Sequence, residues 1–271
     1  MSRRAIIAGS GRLPAELATE LAATQGEPAM ICALEGVAPD GLAVDLAFRV
    51  ERLMPFMRHL LDAGVTSVTF AGPVHRMALD PALFDRETAS VIPRLLAAMQ
   101  GGDDATLRAV MALFEEFGLQ VEGLATLAPG LLAAEGVLAA RAPDATESAD
   151  AARGIEILHA LSPVDVGQGC VVASRLCLGL EALYGTDAML SQIAASRDMR
   201  EPRKGGVFVK RAKAGQDLRV DLPAIGPATI EAARAARLTG ICLQAGYVVV
   251  LERSETLARA EAAGIALWAV P

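Results

Sequence analysis

The chain has 271 residues, of which 53% are hydrophobic but only 4% aromatic, and its formal net charge is −7. That length exceeds the usual span of one hydrophobic core and predicts two domains. The acidic balance, with no long basic run, argues against binding to nucleic-acid backbones, and no nucleic-acid partner is expected.

Chain order alternates strand and helix signals. Ala5 to Ala8 reads as a short buried strand, Gly9-Ser10-Gly11 as a turn, and Leu13, Leu17 and Leu21 as one face of a helix. Residues 29–34 and 42–48 follow as strands, then a helix through Leu53, Met57, Leu60 and Leu61. Residues 65–70 form a β-rich strand that breaks at Ala71-Gly72-Pro73, and Leu107, Val110, Met111, Phe114 and Phe117 mark an amphipathic helix. This alternation predicts a mostly parallel sheet with helices on both faces, and ligands at the carboxyl ends of its strands. A Pro/Gly-rich stretch at 125–145 sets the domain boundary, giving 1–135 and 136–271 as an N-terminal Rossmann-like α/β domain and a C-terminal α/β domain. The second half predicts helices at 146–161, 227–237 and from Ser254. Its predicted strands are 170–174, 206–210, 218–222, 241–244, 247–251 and 266–270.

No charge-free apolar run approaches the roughly 20 residues that span a bilayer. The opening Met1-Ser2-Arg3-Arg4 runs into a strand without an apolar leader, so a cytoplasmic protein is expected, with peripheral membrane docking left open. Cys32, Cys170, Cys177 and Cys242 are scattered, as are His59, His75 and His159, and they make no zinc pattern. The chain's only lysines, Lys204, Lys210 and Lys213, fall within ten residues. They read either as a solvated loop or as compact ammonium charges gathered for a ligand.

Five segments carry candidate chemistry, most with a plain structural alternative. Gly9-Ser10-Gly11-Arg12-Leu13-Pro14 sits between a strand and a helix, where phosphates bind. Pro14 in the slot of a third glycine argues against a dinucleotide fingerprint, and a tight turn is the alternative. Gly101-Gly102-Asp103-Asp104 precedes a helix; an aspartate there either caps it or receives a substrate hydroxyl or hydrated cation. Asp165-Val166-Gly167-Gln168-Gly169 lies between elements. In Glu181-Ala182-Leu183-Tyr184-Gly185-Thr186-Asp187, Thr186 suits a helix cap, and Glu181 needs a partner or ligand if buried. If residues 217–222 form a strand, Asp217, Arg219 and Asp221 share one face. That face is either a solvated ion-pair row or, with Lys213 and the Gly226-Pro227 helix start, a phosphate and Mg²⁺ site. In an extended strand Asp217 and Asp221 stand roughly 13 Å apart, too far to share one ion.

Six of these sequences in register resemble one family. They are Ile7-Ala8-Gly9-Ser10-Gly11-Arg12-Leu13-Pro14, Ala71-Gly72-Pro73-Val74-His75-Arg76, Gly102-Asp103-Asp104-Ala105, Asp165-Val166-Gly167-Gln168, Glu181 to Met189, and Gln216 to Pro223. Together they resemble the UDP-2,3-diacylglucosamine pyrophosphatases of lipid A synthesis, of the Mg²⁺-dependent type unrelated to calcineurin-like phosphoesterases. The departure is Tyr184, where that family's pattern leads one to expect glycine. The resemblance implies a substrate cleft between two domains, an acylated UDP-sugar substrate, and release of UMP and 2,3-diacylglucosamine 1-phosphate (lipid X). It also implies Mg²⁺, or Mn²⁺ in its place, and is compatible with peripheral contact on the cytoplasmic face of the inner membrane. By the resemblance, Gly11, Arg12, Gly72, Asp103, Asp104, Gln168, Thr186, Asp187 and Lys213 contact substrate. Asp217 and Asp221 hold the metal or activate water, with Lys213 stabilising the transition-state charge. The rival readings are a non-catalytic nucleotide-sugar binding protein and a Rossmann-like oxidoreductase.

Overall fold

The computed structural model describes residues 3–26, 28–74, 79–100, 102–164, 166–213, 217–219 and 222–271, and of Gln25, Asp103 and Asp104 only the backbone. The chain divides into two compact units. The first holds Met1–Pro129 and a short return segment, Asp217–Asp221; the second holds Gly130–Gln216 and Leu222–Pro271.

In the first unit the elements run β1 (Arg3–Ala8), α1 (Leu13–Gln25), β2 (Met30–Leu34), β3 (Leu46–Phe48), α2 (Leu53–Asp62), β4 (Val65–Ala71), α3 (Arg86–Met99), α4 (Asp103–Glu116), β5 (Gln120–Val121) and α5 (Leu124–Leu127). Among the described residues its sheet has five strands in the order β3-β2-β1-β4-β5, and every pairing is parallel. The pleat sends alternate residues of β1 to opposite faces. Ala5 and Ile7 join a core with Phe56, Met57, Met111 and Phe114 from α2 and α4, where Phe48 stacks on Phe56 with ring centroids 3.9 Å apart. α1 buries Leu17 and Leu21 and stops at Gly26, whose φ of 75° lets its N–H reach back to Ala22. α3 falls where the sequence pattern assigned no element: Pro93 interrupts the periodicity, and the Asp85 carboxylate caps the helix by accepting from the Glu87 and Thr88 N–H groups.

The second unit runs β6 (Gly136–Val137), α6 (Ala145–Leu161), β7 (Gly169–Ala173), β8 (Leu176–Leu180), α7 (Gly185–Ser196), β9 (Val207–Lys210), β10 (Ala224–Ile225), α8 (Pro227–Ala235), β11 (Gly240–Gln244), β12 (Val249–Val250), α9 (Arg253–Ala262) and β13 (Ala266–Val270). Among the described residues its main sheet has six strands, ordered β6-β13-β11-β9-β7-β8. β9, β11 and β13 are parallel, while β6, β7 and β8 join antiparallel. α7, α8 and α9 pack Leu190, Ile230 and Ala260 on one face with Phe208, Ile241 and Leu267. α6 covers the other face, where Ala151 and Leu158 meet Cys170, Val209 and Trp268. This is the α/β, two-domain architecture expected.

One expected strand is corrected. Leu218 and Arg219 form a turn, not the start of a strand at 218–222. Asp217 makes that turn: its Oδ1 accepts from the Arg219 backbone N–H at 3.1 Å, an arrangement in which the side chain replaces a ladder partner. The pairing that follows is the short β10, parallel to β12.

Candidate active site

In the first sheet the chain leaves β1 in one direction to β2 and β3 and in the other to β4 and β5, so the topological switch point, where such sheets bind ligands, lies at the carboxyl ends of β1 and β4. Glycines make that end. Gly9 N–H donates to the Ala71 carbonyl at 2.7 Å, and Ser10 N–H to the Pro73 carbonyl at 2.9 Å. A methyl group on Gly9 would lie 2.3 Å from the Gly72 carbonyl oxygen. Gly11 and Gly72 have φ of 80° and 88°, the left-handed region that side chains disfavour. Arg12 is exposed at the start of α1, which has no side-chain cap, and its guanidinium approaches Gly41. Gly11, Arg12 and Gly72 therefore share one loop cluster with an uncapped helix start, a geometry suited to an anion.

Asp103 opens α4, and the cap is Gly102 with φ of 98°, so the backbone there takes a conformation an aspartate cap would not. The Asp103 and Asp104 side chains lie outside the described residues, as do His75, Asp165 and Asp221.

Asp217 is engaged. Its Oδ1 and Oδ2 accept from Arg219 Nε at 3.0 Å and Nη2 at 2.8 Å, and Arg219 Nη1 reaches Glu115 of α4 at 2.6 Å. Gly123 makes room, since a methyl there would stand 3.0 Å from the Arg219 Cα. The Arg219 guanidinium holds the Asp217 carboxyl below its ordinary value, and its two carboxylate partners push the Arg219 value up.

In the second unit, Gln168, Thr186, Asp187 and Lys213 come from the loop before β7, the first turn of α7 and the run after β9. The Gln168 carbonyl accepts from Arg211 N–H at 2.9 Å, and Ala212 N–H donates to Gln244 Oε1 at 3.1 Å. These contacts anchor the approach to Lys213 at the carboxyl ends of β9 and β11. Thr186 is corrected from a cap to an interior residue: the cap position is Tyr184, which uses no side chain. The Tyr184 φ of −84° suits any residue, and Gly185 takes the positive φ of 79°. Tyr184 therefore occupies its place without backbone strain and is 86% exposed.

The three lysines have separate fates. Lys204 is exposed, Lys213 half-buried and Lys210 buried. Lys210 Nζ donates to Glu181 Oε2 at 2.6 Å and to Thr186 Oγ1 at 2.8 Å, and Thr186 Oγ1 donates to the same Glu181 oxygen at 2.9 Å. Glu181, for which the sequence demanded a partner, finds two. Lys210 stands outside the contacts that the resemblance implies; its signal is a lysine closing the apolar strand Val207-Phe208-Val209.

Among the described residues no three His, Cys, Asp or Glu side chains converge as a metal cage. Cys32, Cys170 and Cys242 are buried, which pushes their thiols up to about 12 and leaves no soft thiolate donor among them.

A Rossmann-like unit with a glycine-built loop at its switch point, joined to a second α/β unit with polar groups at its strand ends, defines a two-domain α/β protein. Comparison with known proteins is more specific. Residues 3–131 match the LpxI N-terminal domain and residues 134–268 the LpxI C-terminal domain. The UDP-2,3-diacylglucosamine pyrophosphatase LpxI of Caulobacter vibrioides is 34% identical over 272 residues, covering 98% of this chain and 96% of that protein. The chain belongs to the LpxI family, and it is an enzyme, a hydrolase. Among the described residues no helix is long and apolar enough to cross a membrane.

Proposed function

We propose that the protein hydrolyses the pyrophosphate of UDP-2,3-diacylglucosamine, releasing UMP and 2,3-diacylglucosamine 1-phosphate, in a Mg²⁺-dependent reaction of lipid A synthesis. The observation that carries this reading is the end-to-end likeness to a relative of that name. The anion-suited loop of Gly11, Arg12 and Gly72 at the switch point of the first sheet supports it.

A pyrophosphate diester repels nucleophiles through its own negative charge, so its hydrolysis needs charge placed against the phosphoryl oxygens. Arg12, the backbone donors at the start of α1, and Lys213 supply that charge in this reading. Gln168, Asp187, Asp103 and Asp104 hold the sugar and nucleotide hydroxyls. Of the two aspartates beyond Lys213, Asp221 takes the role of cation ligand or water-orienting base. Asp217 has both oxygens committed to Arg219 and is held as a weak base, so it acts by fixing that arginine. Mg²⁺, when bound, supplies Lewis-acid neutralisation of the phosphoryl oxygens. The acyl chains make the substrate a membrane lipid, which is the reason to propose a cytoplasmic protein in peripheral contact with the inner membrane.

The test is incubation of the purified protein with UDP-2,3-diacylglucosamine and Mg²⁺, with UMP and the sugar phosphate resolved by mass spectrometry. EDTA is expected to stop the reaction and added Mg²⁺ or Mn²⁺ to restore it. Intact substrate after prolonged incubation with Mg²⁺ refutes hydrolysis. Full activity after thorough chelation refutes the cation.

A further inference from the structure

The Glu181–Lys210–Thr186 cluster is built at a cost. Burying both ions of a pair removes their hydration, and a well-packed apolar pair of similar volume is often as stable or more so. Here the Lys210 and Glu181 side chains keep only 5% and 11% of their exposure. The backbone around them is shaped to admit the pair. A methyl group on Gly169 would lie 2.6 Å from Glu181 Oε2, and one on Gly167 would lie 2.0 Å from the Glu181 carbonyl oxygen. Gly169 and Lys210 are paired across β7 and β9, and Glu181 continues the ladder of β8 by donating its N–H to the Gly169 carbonyl at 2.8 Å. The cluster thus locks the loop carrying Gln168 and the first turn of α7 to the end of β9.

Donor and acceptor chemistry then assigns the hydroxyl proton. An ammonium only donates and a carboxylate only accepts. Thr186 Oγ1 must therefore accept from Lys210 and give its single proton to Glu181, which leaves one lone pair and no donor. We infer that Glu181 and Lys210 are positioning residues that fix the Thr186 hydroxyl as an acceptor for an N–H or O–H donor of the nucleotide sugar. This rests on the hydrolase reading proposed above and deepens it. Thr186 meets a hydroxyl or amide of the substrate, and phosphate oxygens, which only accept, fall to other groups.

The test separates positioning from mere support. In the Glu181→Leu/Lys210→Met double variant the cluster becomes apolar with similar volume, so the fold is kept while the hydroxyl is released to rotate. Its melting temperature is expected at or above wild type, with KM for UDP-2,3-diacylglucosamine raised about five- to tenfold and kcat within about twofold, the size of one hydrogen bond. Thr186→Val should raise KM equally, and combining it with the double variant should add nothing. Thr186→Ser and Glu181→Gln, whose amide oxygen accepts from both partners, should keep KM within about twofold. A folded double variant with wild-type KM overturns the inference. If that variant does not fold, wild-type KM in Thr186→Val, or a tenfold rise in Thr186→Ser, overturns it instead. A wild-type protein that neither cleaves nor binds the substrate overturns the functional reading and this inference together. Normal wild-type turnover with unmoved variants overturns the inference alone.

Discussion

Gly9→Ala tests the close approach that builds the switch-point loop. The Gly9 φ lies outside the left-handed region, so alanine meets no dihedral penalty, and the effect is one of space. The added methyl would stand 2.3 Å from the Gly72 carbonyl oxygen and 2.5 Å from the Pro73 oxygen. Both are backbone atoms, the Pro73 oxygen accepting from Ser10 N–H and the neighbouring Ala71 oxygen from Gly9 N–H, so no flexible side chain can swing away. Relief requires parting the ends of β1 and β4 and loosening those two bonds. Overpacking costs about 2 kcal/mol and each bond about 1 kcal/mol, so the first unit should lose about 4 kcal/mol. Gly26→Ala is the control: with φ of 75° and open space around it, dihedral strain alone costs about 1–2 kcal/mol. Urea unfolding followed by far-UV circular dichroism reads both units, while fluorescence of the single tryptophan, Trp268 in β13, reads the second. A unit-one transition at the wild-type midpoint in Gly9→Ala would refute the tight backbone contact. The expected variant also loses kcat/KM, since Gly11 and Arg12 move with the loop.

Other outcomes follow from the charged groups and thiols. Asp221→Ala should lower kcat by at least about 10²-fold with the melting temperature kept, and Asp217→Ala by less; equal wild-type rates in both would return this segment to a surface role. Because Arg219 depresses the folded Asp217 value, its stabilisation is fully present above the unfolded value of about 3.9 and is lost as pH falls through the folded one. The difference in unfolding free energy between wild type and Asp217→Asn should therefore hold constant above about pH 5 and shrink below about pH 4; a gap that widens in acid contradicts the ion pair. At pH 8 a disulfide reagent should modify the exposed Cys177 first, with Cys32, Cys170 and Cys242 reacting only on unfolding, as mass spectrometry of the labelled peptides would reveal.

Local order was legible in the sequence wherever its physical cause is local. The helical spacing of Leu13, Leu17 and Leu21 and the glycines at the ends of β1 and β4 each reflect periodicity or a backbone angle set by neighbouring residues. That sufficed for an α/β fold and for the family resemblance. The alternation of Leu218, Val220 and Leu222 reads as a strand, but a strand needs a neighbouring edge to pair with, and alternation cannot supply one. Asp217 and Arg219 instead close a turn, and Arg219 pairs with Glu115, 104 residues earlier in the chain. Thr186 carries the pattern of a cap, yet its partners are Glu181 and Lys210, the latter 24 residues away and brought beside it by the pairing of β9 with β7. The sequence by itself determined most of the elements and which polar residues stand at their ends. Tertiary structure decided which charges pair with each other and which partner the Thr186 hydroxyl donates to, because those depend on desolvation and contacts between segments far apart in the chain.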